Sequence, residues 1–143
     1  MPHQQGNLQN WQFRLISTIP STFSTSILKV DIQFRLRIRR DELIVIGPGK
    51  VSLLEAIAAN GSISGAARKL DMSYRRAWSL VDEMNRGLAQ PVVDTSSGGS
   101  HGGGATLTDT GREVIARYRQ VEQVAAQAAA EPLALLTALV AGE

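Results

Sequence analysis

There is no cysteine anywhere in the sequence. Disulfides, thiolate-ligated zinc and cysteine nucleophiles are therefore excluded, and a reducing compartment fits. Histidine is nearly as scarce. His3 and His101 stand isolated, so no metal-ligand set is expected. No carboxylates pair in a pocket-like context, and neither enzymatic activity nor a cofactor is expected. Aromatics are few, with two Trp, two Tyr and three Phe, so the core has to be built from Leu, Ile, Val and Ala. No apolar run approaches the ~20 residues that a membrane helix needs. The N-terminus lacks a basic region followed by an apolar stretch and a cleavage site, so a secretory signal is not expected. A cytoplasmic location is expected.

What is present suits one domain with extensions. The 143 residues carry a formal net charge of +2, with a basic isoelectric point near 9.4. That balance is compatible with nucleic-acid binding, for which the distribution of charge matters more than its sum. Residues 1–26 are rich in Ser, Thr and Gln, show little periodicity, and read as an N-terminal extension whose composition suits disorder. Residues 27–108 carry the patterns of a folded domain, and residues 109–143 those of a long helix and a C-terminal segment.

The folded part opens with alternation. Val30, Ile32, Phe34, Leu36 and Ile38 alternate with Asp31, Gln33, Arg35, Arg37 and Arg39, which predicts a half-buried strand. Leu43–Ile46 is a second short apolar run, closed by the turn signal Gly47-Pro48-Gly49. Helical spacing follows. Val51, Leu54, Ile57 and Ala58 mark a first helix from Lys50 that Asn60-Gly61 ends. Ser64 is the expected N-cap of a short second helix through Leu70, and Asp71-Met72 the tight turn after it. Ser73 caps a third helix with Ala77, Leu80, Val81, Met84 and Leu88 inward, stopped before Pro91. Two short strands, Val92–Thr95 and Ala105–Leu107, flank a Gly-rich loop. Thr108 or Thr110 caps a long helix from about Asp109 to Ala130, with Thr110 and Glu113 fitting a capping box. Pro132 breaks that helix, and Leu133–Ala141 forms a last apolar segment.

The fold class read from this order is mainly α with small β: a winged helix-turn-helix plus a long C-terminal dimerisation helix. In such folds the second helix crosses the DNA backbone and the third enters the major groove. The candidate DNA-binding residues are Ser64, Arg68, Lys69, Ser73, Tyr74, Arg75, Arg76 and Ser79, with Gly99, Ser100, His101, Gly102 and Gly103 at the wing tip. Arginine forks match guanine edges, while hydroxyls and backbone N–H groups suit phosphate. Arg35, Arg37, Arg39 and Arg40 are further phosphate neighbours. Asp82 and Glu83 are expected to repel phosphate and so to limit insertion to the first turns. Trp78 is read as a packing residue. The Gly-rich loop is no nucleotide cradle, because no Gly-Lys-Ser/Thr follows it into a helix.

On the long helix, Val114, Tyr118, Val121, Ala125 and Ala128 are spaced by four, three, four and three residues. They form a heptad-like seam for a symmetric homodimer, flanked by Ile115 and Val124. Such a dimer binds an inverted-repeat operator on double-stranded DNA. The bland alternative is that the seam packs back on its own chain. A different reading of the whole domain is a winged-helix protein-interaction module without direct DNA binding. Arg68, Lys69, Arg75 and Arg76 on neighbouring helices weigh against it.

Gly61-Ser62-Ile63-Ser64, Met72-Ser73-Tyr74-Arg75-Arg76-Ala77-Trp78, Asp82-Glu83-Met84-Asn85 and the run from Gly98-Gly99 to Thr108 resemble the N-terminal domain of ModE-type molybdate-dependent transcriptional regulators. The likeness runs from about Val30 to Ala130. LysR-type regulators share the Ala-Ala helix-turn-helix pattern but lack that wing, and rank second. The resemblance implies a dimeric winged-helix DNA binder whose first strand joins the wing sheet. Full-length members carry a C-terminal pair of oxyanion-binding domains that sense molybdate. Glu143 leaves no room for them in this sequence, so no molybdate binding is expected within this chain.

Overall fold

A computed structural model describes residues 30–99 and 102–141. Residues Arg35–Val124 form one compact unit, and the described residues 30–34 and 125–141 belong to a second. In the first unit the order is β1 (Ile38–Arg40), β2 (Leu43–Ile46), α1 (Pro48–Asn60), α2 (Ile63–Lys69), α3 (Tyr74–Gly87), β3 (Val93–Gly99), β4 (Gly102–Leu107) and the start of α4 (Asp109–Ala128). The second holds the end of α4 and all of α5 (Ala130–Ala141). Mainly α with small β is thus the observed class. The core lies between α1, α2, α3 and the β3–β4 hairpin, with Leu53, Leu54, Ile57, Val81, Met84 and Val92 fully buried.

Each helix begins where local chemistry permits. Pro48 opens α1 after an extended Gly47. A proline fits the first helical position because its missing N–H would be unpaired there anyway. The helix therefore starts two residues before Lys50. It ends at Gly61, whose φ of 71° is a conformation that glycine adopts without steric cost. The Gly61 carbonyl then accepts the Ala105 N–H at 2.9 Å, so the end of α1 also hooks β4. Ser62, not Ser64, caps α2, accepting the Gly65 N–H at 3.0 Å; Ser64 lies inside the first turn. Ser73 caps α3 as expected, accepting from Arg76 N–H at 3.0 Å. Asp71, at φ 54°, makes the tight turn before it. Thr108 rather than Thr110 caps α4, taking the Gly111 N–H at 3.0 Å and donating to the Pro91 carbonyl. Gly111 is required there. A Cβ on it would stand 2.2 Å from the Val92 carbonyl oxygen.

The strands depart from expectation in three ways. The alternating run from Val30 becomes strand only at Ile38–Arg40. Its partner β2 is four residues long, because Gly47-Pro48 begins α1, and the register Ile38↔Ile46 leaves the earlier residues nothing to pair with. Nor does the first strand join the wing. β1–β2 and β3–β4 are separate antiparallel pairs, and β4 meets the Gly61 carbonyl instead. The wing strands, by contrast, run further into the glycines than expected, to Gly99 and from Gly102. The helical break falls at Ala129, and Pro132 sits in the first turn of α5.

Beyond its first turns, two residues of α4 bond to other parts of the unit. Tyr118 is 3% exposed, and its hydroxyl donates to the Leu36 carbonyl at 3.0 Å. Arg119 bonds Glu55 of α1 and, at 2.6 Å, Glu122. Burial, joined by the Glu122 carboxylate, raises the Tyr118 phenol above its ordinary value of 10.0. A raised folded-state value means that the neutral phenol stabilises the fold below pH 10.0, a contribution that is lost as pH climbs through the folded value. Tyr118→Phe should therefore melt below wild type at pH 8, by about 1 kcal/mol for one hydrogen bond. The gap should close above pH ~10. Paired thermal melts across that range check it; a gap independent of pH would mean that the hydroxyl is not the titrating group.

Candidate nucleic-acid interface

α3 carries three distinct edges besides its buried stripe. Ala77, Leu80, Val81 and Met84 face the core. Opposite them, Arg75, Ser79, Asp82 and Arg86 follow one another at spacings of four, three and four, all exposed, and form a single outward ridge. On one flank lie Tyr74, Trp78 and Asn85. On the other lie Arg76, Glu83 and Gly87. The two arginines that sequence treats alike are therefore placed differently. Arg75 stands on the outward ridge and Arg76 on a flank.

Both flanks and the C-terminal end are anchored. Lys50 is only 6% exposed, and its ammonium reaches Glu83 at 2.7 Å and donates to the Ile44 carbonyl. This joins α1, β2 and α3. Arg40 of β1 donates to the Gly87 carbonyl at 3.2 Å, satisfying the end of α3. On the other side, the Asn85 amide accepts from Val92 N–H at 2.8 Å and donates to the Val93 carbonyl at 3.3 Å. The wing is thereby fixed to α3 at its root. Neither acid on α3 stands free to repel phosphate as expected. Glu83 pairs with Lys50, and Asp82 with Arg86 at 2.8 Å.

The predicted site residues fall into groups. Arg68 and Lys69, in the last turn of α2, are exposed, as are Ser64, Ser73, Tyr74, Arg75, Arg76 and Ser79. The Ser73 oxygen accepts one N–H at the cap, which leaves its hydroxyl proton available. Gly99, Gly102 and Gly103 lie on the wing strands, while Ser100 and His101 lie outside the described residues. Arg35, Arg37, Arg39 and Arg40 are exposed on and before β1. Trp78 is not a core packer. It is 38% exposed, set edge-on against Tyr74 with ring centroids 6.2 Å apart. The sequence reading missed Lys50, Asn85 and Arg40 as positioning residues. Helical spacing alone could have placed Glu83 beside the buried stripe, but its partner is 33 positions away in the chain.

The dimer seam is divided. Tyr118 is spent inside its own unit and Val114 is half-buried, while Val121 and Val124 are 47% and 57% exposed. Ala125 is half-buried and Ala128 exposed. A groove of about 320 Å³ lies along α4 and the β1–β2 hairpin, lined by Leu36, Ile38, Ile46, Val114, Tyr118 and Val121. In α5, Leu135, Leu136, Leu139 and Val140 are all exposed.

Removing one member of a buried pair strands the other charge. Lys50→Met should cost roughly 2–3 kcal/mol, less than the ~3–5 typical of fully buried pairs, because the Glu83 side chain keeps 28% exposure. Adding Glu83→Leu should recover most of the loss. Urea unfolding of the three proteins checks this, and an unrecovered double variant would place the cost in packing instead.

Residues 49–112 match the domain described as "Bacterial regulatory helix-turn-helix protein, lysR family". The chain is 49% identical over 77 residues to the molybdenum-pterin-binding protein MopB of Rhodobacter capsulatus, covering 54% of this chain and 28% of that protein. It is 40% identical over 88 residues to the molybdenum transport protein ModE of Azotobacter vinelandii, covering 62% and 33%. With the DNA-binding transcriptional dual regulator ModE of Escherichia coli K12 it shares 36% over 89 residues, covering 62% and 34%. The chain thus spans about a third of the length of the curated relatives it matches. The capped helix pair, the exposed ridge of α3 and the hairpin anchored by Asn85 lie in the region that is similar to a LysR-type helix-turn-helix domain and to part of the ModE and Mop proteins.

Proposed function

We infer that this chain is a cytoplasmic, sequence-specific DNA-binding transcription regulator that inserts α3 into the major groove. The observation that carries this reading is the outward ridge of α3. Arg75 and Ser79 are exposed on a helix that is anchored at Glu83, at Asn85 and at the Gly87 carbonyl of its C-terminal end. Arg75 reads a base edge, with the geometry that a guanidinium offers to guanine. Arg76, Arg68 and Lys69 hold phosphates, and the wing backbone follows the neighbouring sugar-phosphate chain. The matches to ModE proteins support the same reading.

Fluorescence anisotropy on duplexes enriched from a random pool tests it. Binding should weaken with salt, with a slope of about −0.9 per phosphate contact. Arg68→Ala and Lys69→Ala should each flatten that slope and weaken all sequences alike. Arg75→Ala should cost roughly 1–3 kcal/mol on the enriched duplex and far less on scrambled DNA. Salt-independent binding, or an equal loss on both duplexes for Arg75→Ala, would defeat the assignment.

The regulator works as a homodimer on an inverted repeat. Support comes from Val121 and Val124, exposed side by side on α4, and from the exposed leucines of α5; apolar surface of this kind marks an interaction site. Tyr118 is a poor probe of that interface, since its loss unseats α4 from Leu36. Val121→Glu with Val124→Glu should instead convert a dimer to a folded monomer, read by light scattering with circular dichroism as the fold control. A monomeric wild type at micromolar concentration, or a double variant that stays dimeric, would rule this interface out.

A further inference from the structure

Trp78 is 38% exposed. Trp78 lies on the flank of α3 next to the outward ridge, one turn after Tyr74, and the two rings meet edge to face at 79°. Tyr74 is itself 55% exposed. Such a contact holds the indole in one orientation without burying it. Arg75, on the adjoining ridge, is exposed, and Arg76 on the far flank and Arg68 and Lys69 at the end of α2 are further exposed cations of the same domain. The nearest acid along α3, Asp82, is paired with Arg86. An apolar protein partner would have to desolvate those cations, whereas a duplex neutralises them. Within a major groove, the apolar group that base edges offer is the thymine C5-methyl.

We propose that Trp78, held by Tyr74, is a specificity-determining residue that selects thymine by covering its methyl group, beside the base edge read by Arg75. The proposal rests on the DNA-binding reading and adds a second, apolar component to it. Indole offers a flat apolar face that suits a methyl group, and its single N–H leaves most of the ring without a hydrogen-bonding role. The exposed aromatic pair is thus in place before DNA arrives, and covering a methyl with it replaces two water-exposed apolar surfaces by one contact.

The test separates a thymine methyl from every other feature of the base. Duplexes enriched by this chain from a random pool are resynthesised with deoxyuridine replacing thymine, one position at a time. Deoxyuridine keeps all hydrogen-bonding groups and lacks the methyl. Wild type should lose about fourfold in affinity at one or two positions, the worth of one buried methylene-sized group. Trp78→Ala should bind the thymine and deoxyuridine duplexes equally, and Trp78→Phe should keep part of the difference. Arg75→Ala should weaken binding yet retain the thymine preference. If deoxyuridine is tolerated at every position by wild type, or if Trp78→Ala discriminates as well as wild type, the proposal is wrong while the DNA-binding reading stands. If the pool yields no enriched sequence, that reading falls and the proposal with it.

Discussion

The ammonium of Lys50 sits where α1, β2 and α3 converge, and the placement of the exposed ridge follows from it. A lysine this deeply buried is costly unless its charge is answered. Here the Glu83 carboxylate and the Ile44 carbonyl answer it. The pair does what apolar packing alone does poorly. Ala77, Leu80, Val81 and Met84 fix which face of α3 is inward, yet a smooth apolar stripe tolerates small rotations about the helix axis. A charged bond from one flank removes that freedom. Arg40 at the C-terminal end and Asn85 on the opposite flank complete the restraint.

The helices were legible because their boundaries are written in local chemistry. Ser73, Gly61 and the inward stripe of α3 could be read from spacing. The misread cap at Ser64 shows the limit: Ser62 and Ser64 offer the same hydroxyl, and only the close approach of Gly65 decides between them. The strand expected from Val30 failed for a different reason. Alternation records which residues prefer one apolar side, but a strand also needs a partner of equal length, and β2 is cut short by Pro48. Asn85 and Lys50 were opaque because their meaning lies in partners across the fold.

Trp78 and Tyr118 were both assigned by periodicity, and Trp78 lies outside the core while Tyr118 lies inside it. Trp78 flanks the buried stripe of α3, where packing is the usual fate of a large ring, yet it keeps 38% of its surface exposed beside Tyr74. Tyr118 sits at a seam position of α4, where Leu36 reaches it and accepts its hydroxyl. Period gives the face of a helix; which neighbour covers that face is a tertiary fact. The exposed valines one and two turns further along α4 show how quickly the neighbourhood changes within one helix.

Asn85 has a consequence that reaches beyond α3. Its one amide holds the backbone of Val92 and Val93 from both sides, so the root of the hairpin cannot shift without breaking bonds to α3. A duplex that met both elements, as proposed above, would have to match the separation that Asn85 sets at that root, and local twist and groove width would then enter the fit at base pairs that no side chain touches.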